Sequence, residues 1–161
     1  MWWPIVKFQA DQPASKAQRR PYGLLCLLVL PGSRRGEIQT LMEPFGKAVE
    51  ELSKRIEKLE VILPTLPRIE EMVRELSKVW AVKPLIVTGD EAKWDAFARA
   101  DAALAASGTV SLELALSHIP TVLSYTADWF ARQFLISRIT IWRAALPHII
   151  ADQPVVPEFF N

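Results

Sequence analysis

At 161 residues, half of them apolar, the chain has the length of one ordinary domain and can bury a core without disulfides or metal clips. Nineteen basic residues nearly cancel eighteen acidic ones, a net charge of +1 that argues against a nucleic-acid binder and leaves only a small basic patch at Lys16, Arg19 and Arg20. The single cysteine, Cys26, lies inside an apolar run, which excludes a disulfide framework or cysteine zinc site and suits a small core residue in a reducing compartment.

In chain order, Met1-Trp2-Trp3-Pro4-Ile5-Val6 is apolar but lacks the basic start and long apolar stretch of a signal peptide, so export is not expected. No apolar run reaches the ~18 residues needed to cross a bilayer, which leaves a soluble or membrane-surface protein. Asp11 to Pro21 is rich in Gln, Ala, Ser, Lys and Arg and carries two prolines. Residues 1–21 therefore read as a solvated linker and 22–161 as a single domain.

From Leu24 onward apolar runs alternate with helical patterns. Strands are expected at Leu24–Leu30, Val61–Leu63, Leu85–Val87, Ala102–Ala105 and Thr121–Ser124. Helices are expected at Gly36–Leu59, Pro67–Trp80, Asp90–Arg99 and Thr109–Ser117. The alternation predicts an α/β fold, a Rossmann-like parallel sheet flanked by helices. In the first helix Ile38, Leu41, Phe45, Val49, Leu52, Ile56 and Leu59 form one apolar face. The charged face opposite is solvated, with Glu51 and Arg55 spaced for a surface pair.

Two breaks in this pattern could carry chemistry. At Leu30-Pro31-Gly32-Ser33-Arg34 a strand ends and a helix begins, at the carboxyl end of the strand, where open parallel sheets bind ligands. Gly32 lets the backbone approach a phosphate, the helix-start amides donate to it, and Arg34 offers a forked charge. The pattern is neither G-x-G-x-x-G nor G-x-x-x-x-G-K-[ST], which disfavours a dinucleotide oxidoreductase and a P-loop ATPase. A plain turn with a capping Ser33 and a solvated Arg34 is the alternative.

The second break, Ser107-Gly108-Thr109, also opens a helix. Glu113 is the one charged residue between Asp101 and His118. Thr109 and Glu113 share a helix face, placing phosphate-binding amides and a hydroxyl one turn from a carboxylate able to grip ribose hydroxyls. The alternative is an acid that complements the helix dipole behind a Ser107 N-cap. His118 and His148 have no Cys, Asp or Glu cluster at metal spacing, so no metal is expected. Ser107 lies outside any G-x-S-x-G elbow, which disfavours hydrolase chemistry. The aromatic and basic stretch Trp129 to Arg143 suits packing against the sheet or a partner domain, with membrane-surface contact as the alternative.

Leu30-Pro31-Gly32-Ser33-Arg34-Arg35-Gly36-Glu37-Ile38, Asp101 to Glu113 and Val155-Val156-Pro157-Glu158-Phe159 together resemble the lipid-A-disaccharide synthase family, in order and in spacing. Pro120 to Tyr125 is similar to that family's following strand, and Leu146-Pro147 to its later leucine-proline-asparagine turn. The resemblance covers about Leu24 to Phe159. It implies one half of a GT-B glycosyltransferase, an inverting enzyme that joins UDP-2,3-diacylglucosamine to 2,3-diacylglucosamine 1-phosphate, forming the lipid A disaccharide and UDP. Arg34 would then act on the diphosphate by electrostatics, with Gly32, Ser33, Ser107, Gly108 and Thr109 around it and Glu113 on the ribose. No cofactor or metal is implied beyond the UDP-sugar substrate.

The same resemblance implies a cytoplasmic enzyme at the inner-membrane surface, homodimeric at full length. The lipid acceptor and the general base would belong to an N-terminal domain outside this chain, so the chain alone should bind nucleotide better than it catalyses. Trp2-Trp3 replace the family's usual glycine-histidine, and His148 its usual asparagine. Two other readings stay open: a UDP-sugar 2-epimerase-like enzyme, and a non-catalytic nucleotide-binding or interaction module.

Overall fold

Seven consecutive apolar residues, Leu24–Leu30, form β1, and from Cys26 onward every one is buried. A strand apolar on both faces belongs in the middle of a parallel sheet covered on both sides, and β1 is placed there. The structure, a computed structural model, describes residues 24–125 and the strand Glu158–Phe160. The expected linker, the Trp129 to Arg143 stretch and His148 lie outside the described residues.

The chain continues through α1 (Arg35–Ser53), β2 (Lys58–Thr65), a short 3-10 turn at Pro67–Ile69, α2 (Glu70–Ser77), β3 (Leu85–Thr88), α3 (Asp90–Arg99), β4 (Ala102–Ala106), α4 (Val110–Leu116), β5 (Thr121–Tyr125) and β6 (Glu158–Phe160). The strands lie in the order β3-β2-β1-β4-β5-β6, every pair parallel. Leu27 pairs with Val61 on one side and Ala102 on the other, so the chain first winds outward to β3 and then returns to the far side of β1. The strand order reverses between β1 and β4, which opens a crevice at their carboxyl ends.

Side chains alternating along the strands divide the core in two. Cys26, Leu28 and Leu30 pack with Phe97 of α3 and Leu114 of α4. Leu27 and Val29 face the other way, against Ile38, Leu41, Phe45 and Val49 of α1 and Val73 of α2. Thus α3 and α4 share one face of the sheet, which brings their side chains together above the crevice. Cys26 is fully buried, as its apolar setting implied. No helix among the described residues is long and apolar enough to cross a membrane.

The α/β reading holds, although the expected Pro67–Trp80 helix divides into the 3-10 turn and α2, which stops at Ser77, and three further differences bear on the argument. The first helix ends at Ser53, and Lys58 and Leu59 already belong to β2, because the chain must turn back after α1 in time to pair Lys58 with Leu24. Glu51 bonds Lys54 at 2.7 Å and not Arg55; that hydrogen bond holds the Glu51 carboxyl below its ordinary value. Finally β6, which carries no strong strand signal, adds an edge beside β5.

Candidate functional site

The carboxyl ends of β1, β2 and β4 and the start of α3 surround a cleft of about 590 Å³, a size suited to a small-molecule ligand. Both sequence breaks line it. Gly32, Ser33 and Arg34 stand on one wall, and Ser107, Gly108, Thr109 and Glu113 on another. All seven candidate residues therefore meet at one site, although more than seventy positions separate the two groups.

Gly32 has φ +106°, a conformation other residues rarely adopt, and a Cβ there would come within 2.5 Å of Glu37 Oε2. Its positive φ turns the chain so that Arg34, in extended conformation (φ −101°, ψ 140°), becomes the N-cap of α1. No side chain caps this helix, so the expected alternative of a capping Ser33 does not apply. The first-turn amides have no acceptor within their own helix. Ser33 instead presents its carbonyl to Arg68 Nη2 at 3.4 Å.

Arg34 Nη1 donates to Glu37 Oε1 at 3.0 Å, while 71% of the arginine side chain remains exposed. The guanidinium carries five donors, so one bond to Glu37 orients it and leaves the rest for an anion. On the opposite wall the Ser107 amide donates to the Ser124 carbonyl at 3.0 Å, which ties the loop between β4 and α4 to the end of β5. The N-cap of α4 is Thr109, not Ser107, and no side chain caps it; Ser111 Oγ donates to the Gly108 carbonyl at 2.6 Å.

Glu113, expected as a lone carboxylate, has a partner. Lys93 Nζ of α3 donates to Glu113 Oε1 at 3.1 Å and to Oε2 at 3.0 Å, and Lys93 also lines the cleft. The reading of residue types missed Lys93 because Asp90, Glu91 and Asp95 surround it in a mixed-charge helix, with its partner twenty positions away. Thr65, at the end of β2, was also missed. Its buried Oγ1 has no hydrogen-bond partner among the described residues, and Thr65 lines the same cleft. The signal available was position alone, at the carboxyl end of a strand. His118, with φ 53°, follows α4 and is not among the residues lining the cleft. No group of three or more His, Cys, Asp or Glu able to hold a metal occurs among the described residues.

Comparison with known proteins identifies the family. The family model for lipid-A-disaccharide synthetase matches residues 5–161. The chain is 40% identical over 162 residues to the lipid-A-disaccharide synthase of Rhodospirillum centenum, covering 98% of this chain and 40% of that protein. It is 44% identical over 148 residues to that of Bradyrhizobium diazoefficiens (92% and 38%), and 42% identical over 153 residues to that of Rhodopseudomonas palustris strain HaA2 (92% and 38%). The chain thus spans about two fifths of the length of these curated relatives. With a match that covers nearly all its residues, the chain belongs to the lipid-A-disaccharide synthetase family.

Proposed function

We propose that this chain is the donor-nucleotide-binding part of a glycosyltransferase that transfers 2,3-diacylglucosamine from UDP to 2,3-diacylglucosamine 1-phosphate. One observation carries the reading. A single cleft at the strand-order reversal joins a cationic helix start, Gly32 to Arg34, to a second helix start with a carboxylate one turn further on, Ser107 to Glu113. Diphosphate oxygens suit the first group together with the Gly108 and Thr109 amides, and ribose hydroxyls suit Glu113.

In this reading Arg34 is catalytic through charge alone. As the glycosidic bond breaks, negative charge accumulates on the departing UDP, and a guanidinium with helix-start amides stabilises it more than the ground state. No metal or cofactor is assigned to the step. The linker and domain boundaries at 1–21 and 22–161, read from composition, belong to the same proposal, as do, by family resemblance, an acceptor site on an N-terminal domain, a homodimer at full length and a cytoplasmic place at the inner-membrane surface.

Calorimetric titration of the folded chain with UDP and ADP tests it. UDP should bind selectively, and Arg34→Ala and Glu113→Ala should each weaken it by about tenfold or more, the loss associated with hydrogen bonds to charged groups. Unchanged affinity in both variants would place the nucleotide elsewhere.

A further inference from the structure

We infer that Lys93 is a positioning residue for the donor site: it fixes the Glu113 carboxylate for a vicinal diol and screens the ligand's phosphates from it. This rests on the donor-site reading above. The Lys93 ammonium straddles the carboxylate, 3.1 Å from Oε1 and 3.0 Å from Oε2. It also lies over the Trp94 ring, 4.6 Å from the centroid, and 5.9 Å from that of Phe97.

The support behind that ammonium is rigid. Phe97 is fully buried in the core between α3 and the sheet, and Trp94 meets it edge to face with centroids 5.2 Å apart. Lys93 is thus held both by cation–π attraction to this aromatic pair and by its bonds to Glu113. Both side chains of the ion pair are about three quarters buried, in contrast with Arg34. The carboxylate end of the cleft is therefore preorganised, and the arginine end is adaptable.

A carboxylate has about four lone-pair sites, and one ammonium engages one site on each oxygen. The remaining sites can accept two hydroxyls from a diol without displacing Lys93. Electrostatics require the same residue. Glu113 lines the cleft with Arg34, so without Lys93 an anionic diphosphate would enter beside an uncompensated carboxylate.

Titration of wild type, Lys93→Arg and Lys93→Met with UDP and with 2′,3′-dideoxy-UDP separates positioning from mere structure. Wild type should prefer UDP by about tenfold, the worth of hydrogen bonds to a charged acceptor. Lys93→Arg should keep most of that preference, and Lys93→Met, in a sample that stays folded, should lower it to within about twofold. If Lys93→Met does not fold, Lys93→Gln makes the same measurement. A methionine or glutamine variant that keeps the wild-type preference overturns the inference and leaves the donor-site reading intact. A folded wild type that binds neither ligand overturns the donor-site reading, and this inference with it.

Discussion

Gly32 links backbone geometry to the chemistry of the cleft. Its φ of +106° would place a Cβ 2.5 Å from Glu37 Oε2, and Glu37 is the residue that orients Arg34. Gly32→Ala should therefore do two things together. It should destabilise the fold by about 2 kcal/mol, since a strained backbone angle costs roughly 1–3 kcal/mol. By displacing Glu37 it should also release Arg34 and weaken UDP. Urea denaturation alongside calorimetry checks both; a loss of stability with unchanged UDP affinity would show that Arg34 does not depend on Glu37. At this scale, what interrupts an apolar pattern was legible in the sequence. Gly32 and Arg34 break a strand, and Glu113 stands alone among small residues. Lys93 and Thr65 interrupt nothing, and only the tertiary structure shows one on Glu113 and the other unpartnered in the cleft wall.

Among the elements, α1 shows where periodicity loses its authority. Its apolar stripe continues in sequence through Ile56 and Leu59, yet the helix stops at Ser53 because the next segment pairs with β1. Burial in a central sheet outweighs a few residues of helix propensity. The same helix is notched at Gly46, where the buried Trp80 indole fits; a Cβ there would meet Nε1 at 2.5 Å. Gly46→Ala gains about 1 kcal/mol of helix propensity. Overpacking a buried ring that cannot swing away costs about 1–3 kcal/mol, so a net loss of stability is expected. A lower urea midpoint with unchanged slope would confirm it, and a rise would mean that the indole can relax. By contrast α3 and β1 have the boundaries their patterns predict, since a turn signal and an apolar run each end there. The strand β6 was not legible: three residues gain their conformation from pairing with β5 rather than from their own pattern.

For the whole molecule, ligand and fold should be linked by mass action. A net charge of +1 supplies no general attraction for an anion, so affinity for UDP must come from the groups gathered in one cleft. That makes binding specific to the folded chain. Ligand at about one hundred times its Kd stabilises by roughly 2.7 kcal/mol, and at this chain length each kcal/mol raises Tm by about 2–4 °C. A thermal shift of about 5–10 °C with UDP is expected, and no change when a chelator removes divalent ions, because Arg34 and helix-start amides carry the diphosphate charge in this reading. A shift abolished by the chelator would transfer that role to a metal. The 161 residues span about two fifths of their curated relatives, and the proposed acceptor site lies in the remainder. The same sample should therefore bind UDP without transferring sugar, since stabilising the leaving group lowers a barrier only when an acceptor is held against the donor.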